Sequence, residues 1–245
     1  MPAAPARGAP VRHQAPTQLG EPLDIAVVAD AELAERVDAW QAAGIRFESS
    51  WSSAELALVI GVLDRYSSTF GYARVMALIR AGVAAGTRGQ SQTLVFARGG
   101  RDGIALAVWA NQLGRIVLYD DLFDWSVMRY YFTLIYEPHR YSVEARESLV
   151  LGSTVGHEIG HVVIDGLRAE WDASRFGASS PETLYAREVN YNAWPHPDYG
   201  ANESLASELA LWALGVARPP AVTAFVQEYL APLIISHTHR SSLAR

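Results

Sequence analysis

Two histidines and a glutamate stand close together in the stretch LGSTVGHEIGHVVIDG, residues 151–166. In a helix, His157 and His161 project from one face about 6 Å apart along the axis, so both imidazoles can reach one zinc ion. Glu158 is rotated away from that line, where it can touch a metal-bound water rather than the metal. The H-E-x-x-H spacing therefore predicts two ligands of Zn²⁺, His157 and His161, and a general base, Glu158.

The residues around the motif favour this interpretation over a chance match. Leu151, Val155, Ile159 and Val162 mark a stripe that a helix would bury. Burying two imidazoles and a carboxylate in such a helix is unfavourable unless they have partners. The alternative is that these polar residues met by chance on a core helix.

Three glycines, Gly152, Gly156 and Gly160, repeat every four residues through the same stretch. Each costs a helix about 1 kcal/mol relative to alanine. We expect this glycine stripe to face a closely packed neighbour, either the sheet or the helix that carries the third ligand. Gly166 is expected to end the helix, which the pattern predicts from residue 142 to residue 165.

The third zinc ligand has to come from another part of the chain. Cysteine is absent, and a third histidine at the metzincin spacing is excluded because Ile164 and Leu167 occupy the required glycine and histidine positions. A second helix is predicted in YGANESLASELALWALG, where Asn202 can serve as the N-cap and Glu203 lies in the first turn. Glu208 is the other candidate carboxylate, and both could instead belong to a solvated helix face.

In these residues the chain resembles the gluzincins, zinc peptidases whose second helix supplies a glutamate ligand. The segment E-S-L-A that begins at Glu203 is similar to the glutamate helix of the anthrax lethal factor and Pro-Pro endopeptidase group. The resemblance implies a zincin-like fold and favours Glu203 as the third ligand. The chain departs from that group at Ser207, where a second glutamate is common.

The resemblance also implies a tyrosine shortly before the glutamate helix, which would hydrogen-bond the oxyanion. The corresponding position is His196, so Tyr199 is our first candidate and Tyr191 and His196 are alternatives. Asp165, one turn after His161, is expected either to accept a hydrogen bond from a ligand imidazole or to face water. A further pair, His237 and His239, is assigned no role.

The periodicity predicts an α+β fold with a small mixed sheet and a helical active-site region. Helices are expected near residues 30–43, 54–66, 72–83, 142–165, 202–214 and 221–234, and also at 125–136, where a strand is the alternative. Ser52 and Glu55 form a capping-box pattern. Strands are expected at 45–49 and 93–100, followed by a hairpin whose second strand, Arg115–Asp121, could be an edge that pairs with substrate. The stretch 169–200 should be mostly irregular.

Composition limits the remaining classes of function. The 245 residues are 50% hydrophobic and carry a net charge of −6, which predicts one domain over residues 23–245 after a disordered Pro/Ala-rich tail, 1–22. No basic run suggests a nucleic-acid partner. No signal peptide or membrane span is found in the sequence, which predicts a cytoplasmic protein or one exported by a non-standard route.

These expectations combine into one predicted function. The chain is expected to be a zinc-dependent metalloendopeptidase that hydrolyses a peptide or protein substrate with a metal-activated water and Glu158 as general base. The alternatives are a catalytically inactive zincin-fold binding protein, and a zinc hydrolase or exported toxin effector that acts on another substrate.

Overall fold

The computed structural model describes residues 30–48, 50–101, 105–124, 143–189, 200–216 and 218–235 of the chain. The predicted tail at residues 1–22 and the predicted helix or strand at residues 125–136 lie outside these ranges, so both stay predictions.

Over the described residues the chain is largely helical, with one small sheet. The helices are α1 (Asp30–Ala42), α2 (Ser53–Phe70), α3 (Tyr72–Gly86), α4 (Val143–Ala169), α5 (Ala173–Phe176), α6 (Pro181–Val189), α7 (Ala201–Ala213), α8 (Pro220–Phe225) and α9 (Ala231–Ile235). The strands are β1 (Ile45–Glu48), β2 (Leu94–Gly99), β3 (Ala107–Ala110) and β4 (Arg115–Tyr119). A π-helical turn, Val226–Leu230, joins α8 to α9. None of the described helices combines the length and the apolar character that a membrane span needs.

Local sequence signals place the early elements where we expected them. Gly44, with φ of 101°, follows the end of α1. The predicted capping box at the start of α2 is confirmed, because Ser52 Oγ accepts from the Glu55 backbone N–H at 3.3 Å and the Glu55 carboxylate accepts from the Ser52 backbone N–H at 2.9 Å. These two bonds satisfy backbone donors that the first helical turn leaves without partners.

The four strands form a mixed sheet in the order β1-β2-β4-β3. The β1/β2 and β2/β4 pairs are parallel, whereas β3 and β4 form an antiparallel hairpin across the predicted four-residue connection. The α+β fold class with a small mixed sheet is therefore confirmed.

The expectation that Arg115–Asp121 forms a sheet edge is wrong. The strand β4 lies inside the sheet, between β2 and β3, and its Ile116 and Leu118 side chains are fully buried. In β3, by contrast, Val108 is exposed and its neighbours are only half-buried. Because burying the two apolar residues of β4 is more favourable, β3 becomes the edge.

The long helix α4 packs between α3 and α7 and also contacts β3 and β4. Its Val155, Ile159 and Val162 side chains are completely buried, as the apolar stripe predicted. The hydroxyl of Tyr66 in α2 donates to the Gly156 carbonyl at 2.6 Å. The helix that carries the motif is thus held on several sides, which limits how far its side chains can move.

The expectation that Gly166 ends this helix is also wrong, because α4 continues to Ala169. A Cβ atom on Gly166 would lie 2.2 Å from the Leu78 carbonyl oxygen of α3, and one on Gly82 would lie 2.1 Å from the Val162 carbonyl oxygen. Both glycines therefore allow the backbones of α3 and α4 to come into contact. Close helix packing, rather than helix termination, explains why glycine stands at position 166.

The stretch 169–200 is more regular than expected, since it contains α5 and α6. The Asp172 carboxylate accepts from the backbone N–H groups of Ser174 and Arg175, which caps α5. In α6 the side chains of Leu184 and Tyr185 are buried. Tertiary burial stabilises this short helix, which its sequence pattern alone did not predict.

Candidate metal centre

The two motif histidines lie one turn apart on α4 and share a face, as the spacing predicted. The Nε2 atoms of His157 and His161 are 3.0 Å apart. The two rings are almost perpendicular, at 87°, with centroids 4.5 Å apart. Both ring nitrogens that could bind a metal therefore converge on one point beside the helix.

The helix α7 brings Glu203 to the same point. Glu203 Oε2 lies 3.1 Å from His157 Nε2 and 3.3 Å from His161 Nε2. The three atoms thus form a nearly equilateral triangle. Among the described residues, these three side chains form a group that could hold a metal ion.

The size of this triangle fits a zinc ion. Tetrahedral zinc with bonds of about 2.0–2.1 Å requires its ligand atoms to be about 3.3 Å apart. The Glu203 side chain is 43% exposed, whereas those of His157 and His161 are 17% and 11% exposed. The site is therefore open on one side, as a catalytic zinc site with a fourth position for water or substrate has to be.

Glu203, rather than Glu208, is the carboxylate at this site. Both oxygens of Glu208 accept from the Arg218 guanidinium, at 2.5 and 2.6 Å, and the Glu208 side chain is fully buried. This pairing occupies the Glu208 carboxylate on another side of α7.

Each motif histidine has a polar contact at its second ring nitrogen. His157 Nδ1 lies 3.0 Å from Ser207 Oγ, and His161 Nδ1 lies 3.2 Å from the side-chain nitrogen of Asn202. Partners at this position orient an imidazole. The Ser207 hydroxyl can accept from His157 Nδ1, which leaves His157 Nε2 available for a metal, whereas the Asn202 amide nitrogen donates to His161 Nδ1. The sequence analysis did not assign this role to Ser207, although its position one turn after Glu203 puts both on the same face of α7.

Two expectations about these partners are wrong. Asn202 does not cap α7, because Gly200 occupies the N-cap position and Asn202 lies within the first turn, directed at His161. Asp165 neither faces water nor accepts from a histidine. Its carboxylate instead accepts from the indole N–H of Trp109 at 2.9 Å and from the Arg168 guanidinium.

Glu158 is buried beside the two histidines, with only 7% of its surface exposed. Burial raises the pKa of Glu158, while the charges of His157 and His161 and a hydrogen bond from the Trp109 backbone N–H partly offset that rise. A carboxylate with a raised pKa is a better proton acceptor, which is the property a general base needs.

Hydrogen bonds inside the cluster also shift the other two groups. Hydrogen bonds from His157 and His161 hold the pKa of Glu203 far below its usual range, although desolvation opposes this. Burial alone would lower the pKa of His161, but the hydrogen bond to Glu203 and the negative charges of Glu203, Glu158 and Asp165 raise it overall. The carboxylate is therefore ionised at neutral pH, as a metal ligand must be.

Two glycines of the predicted stripe, Gly156 and Gly160, face the helix that carries Glu203. A Cβ atom on Gly160 would lie 2.7 Å from the Ala206 carbonyl oxygen, and one on Gly156 would lie 3.0 Å from Ala210 Cβ. The stripe therefore lets α4 and α7 approach closely enough for Glu203 to reach both imidazoles. Gly152 is buried in the same helix.

The oxyanion candidates Tyr199, Tyr191 and His196 lie outside the described residues, as do His237 and His239. Their assignments stay predictions.

Comparisons with protein-family models, with curated proteins and with solved structures gave no match for this chain. The chemical interpretation of the centre therefore depends on its own donor atoms and their geometry.

Proposed function

We propose that this protein is a zinc-dependent metalloendopeptidase of the gluzincin type, built on a zincin-like catalytic domain. The observation that carries the proposal is the triangle of His157 Nε2, His161 Nε2 and Glu203 Oε2, with sides of 3.0–3.3 Å. Its size and its two nitrogens and one oxygen suit Zn²⁺, and its open side suits a catalytic site rather than a closed structural one.

Glu158 is the proposed general base. It follows His157 directly in the chain and is buried, with a pKa raised by that burial. Bound zinc would supply Lewis acidity and lower the pKa of a coordinated water. The Glu158 carboxylate accepts the proton from the attacking water and passes it to the leaving amine.

A peptide substrate is favoured by the sheet edge beside the site. The strand β3 contacts α4 and is the edge of the described sheet on that side. A peptide that adds to this edge would run past the metal centre and form hydrogen bonds with the outward backbone groups of β3 other than the Trp109 N–H, which is directed at Glu158. The substrate-pairing edge that we expected at Arg115–Asp121 is thus assigned to β3, because β4 lies inside the sheet.

The test compares zinc content and cleavage of a quenched-fluorescent peptide library in the wild type, Glu158→Gln and Glu203→Ala. The wild type should bind one zinc ion per chain and cleave peptides, and a chelator should abolish cleavage. Glu158→Gln should keep its zinc and lose cleavage, whereas Glu203→Ala should lose zinc. Glu35→Gln, at an exposed position of α1, makes the same chemical change away from the centre and should retain both properties.

Unchanged cleavage in Glu158→Gln would contradict the proposed mechanism. A zinc-loaded wild type that cleaves no member of the library would exclude the peptidase and leave a binding protein or a hydrolase of another substrate.

A further inference from the structure

The edge strand β3 is attached to α4 at two points, and Trp109 provides both. Its backbone N–H donates to the Glu158 carboxylate, and its indole Nε1 donates to Asp165 Oδ2 at 2.9 Å. Glu158 and Asp165 are seven residues apart on α4, so they lie two turns apart on the same face. One residue of the sheet therefore contacts both ends of the helical segment that carries the proposed metal ligands.

The direction of the Trp109 backbone N–H follows from the register of the hairpin. Trp109 pairs with Ile116, and the Tyr119 N–H donates to the Leu106 carbonyl. Bonded and non-bonded pairs alternate along an antiparallel ladder, so Val108 bonds to β4 while Trp109 directs its N–H outward. At an open sheet edge that group would face solvent, but here it meets Glu158.

The second attachment holds the strand in place. Asp165 is only 14% exposed and also accepts from the Arg168 guanidinium, so its carboxylate has a fixed orientation. The indole of Trp109 packs partly buried against the hydrophobic core. An edge strand of only four residues has little stability of its own. The side-chain bond from Trp109 to Asp165 therefore helps to hold β3 against α4.

We propose that Trp109 is a positioning residue for the general base, because its indole bond to Asp165 keeps β3 in register on α4 and its backbone N–H orients the Glu158 carboxylate. The catalytic part of this inference depends on the proposed peptidase function, whereas the two contacts can be tested without it.

The contact itself is tested by residue-resolved amide hydrogen exchange in the metal-free protein. Replacing Glu158 by alanine removes the acceptor, so the Trp109 amide should exchange about fivefold to tenfold faster. The Val108 amide, which bonds to β4, should keep its exchange rate and serves as the control for the hairpin. Glu158→Gln retains an acceptor oxygen and should preserve protection at Trp109. Equal protection in the wild type and Glu158→Ala, or a parallel rise at Val108, would overturn the inference.

The positioning role is tested by a double-mutant cycle on peptide cleavage and zinc affinity. Trp109→Phe and Asp165→Ala should each lower kcat about fivefold to tenfold, with KM and the zinc dissociation constant unchanged. Because both changes break the same bond, the double variant should be no slower than either single one. Asp165→Asn keeps an acceptor oxygen and should restore most of the activity.

Additive losses in kcat, or losses that follow the zinc dissociation constant, would contradict the positioning role. If the wild type cleaves no peptide, the proposed function fails, while the exchange experiment still decides whether Trp109 holds Glu158.

Discussion

At the scale of single residues, Glu203 and Glu208 show how neighbouring carboxylates on one helix differ. They are five residues apart on α7 and therefore point to different sides of it. Glu203 faces the two imidazoles, and Glu208 is buried with Arg218. The first is placed to bind a metal and the second to connect α7 with the segment before α8.

Replacing each of these two carboxylates by glutamine should affect a different property of the protein. Glu208→Gln leaves Arg218 without its carboxylate and should lower the free energy of unfolding by about 3 kcal/mol, while zinc binding persists in the folded protein. Glu203→Gln should weaken zinc binding strongly and change the stability of the metal-free protein little. Urea unfolding without metal and zinc titration measure the two effects. Strong loss of zinc in Glu208→Gln alone would contradict the assignment of Glu203.

Ser207 should support the metal site through His157. Removing its hydroxyl in Ser207→Ala takes away the partner of His157 Nδ1 and should weaken zinc affinity about tenfold to a hundredfold. Ser204 is a matched control on the same helix, since its buried hydroxyl has no hydrogen-bond partner among the described residues. Competition with a zinc-binding dye measures both affinities. Equal affinities of Ser207→Ala and Ser204→Ala would show that Ser207 does not orient the ligand.

At the scale of elements, the glycines of α4 determine how close its two neighbouring helices lie. Gly156 and Gly160 face α7, and Gly166 faces α3. In each case backbone or Cβ atoms of the partner helix occupy the space that a side chain would need. The intrinsic cost of glycine in a helix is thus offset by close packing on both sides.

Gly160→Ala should therefore separate α4 from α7. The added methyl group would meet the Ala206 carbonyl oxygen at 2.7 Å, and we expect a loss of about 1–3 kcal/mol in the free energy of unfolding. Zinc affinity should fall as well, because Glu203 moves with α7. Gly166→Ala, which meets α3, should lose stability but keep its zinc affinity. Denaturant unfolding with zinc titration separates the effects, and equal zinc affinities in the two variants would contradict this prediction.

At the scale of the whole molecule, a metal at this centre would connect two distant parts of the chain. The histidines belong to α4 and the glutamate to α7, with α5 and α6 between them in sequence. A ligand that binds only the folded chain stabilises it by RT ln(1 + L/Kd), where L is the free ligand concentration. The proposed zinc ion would therefore contribute to the stability of the fold as well as to catalysis.

Zinc should raise the thermal unfolding temperature of the purified protein. At a free zinc concentration a hundredfold above Kd the gain is about 2.7 kcal/mol, which corresponds to about 5–10 °C for a chain of this size. The shift should appear in the wild type and in Glu158→Gln and be absent in Glu203→Ala. Differential scanning calorimetry with and without a chelator measures it, and a similar shift in Glu203→Ala would place the bound zinc elsewhere.

Elements encoded in short segments were predicted well from the sequence. The capping box at Ser52, the hairpin connection at residues 111–114 and the shared face of His157 and His161 each follow from a local backbone rule, and all three are observed. The errors fall where distant contacts decide. The sequence predicts a helix end at Gly166, whereas in the structure α4 continues past it and Gly166 packs against the backbone of α3.

The sequence by itself determined the chemical groups of the centre, since two imidazoles four residues apart and an adjacent carboxylate follow directly from helical geometry. Only the tertiary structure decided that Glu203 rather than Glu208 joins them, that Ser207 and Asn202 contact the imidazoles, and that Trp109 reaches Glu158. The reason is physical. Helical periodicity relates residues within one turn or two, while the packing of α7 and β3 on α4 depends on which apolar surfaces are buried together and on which glycines allow close approach.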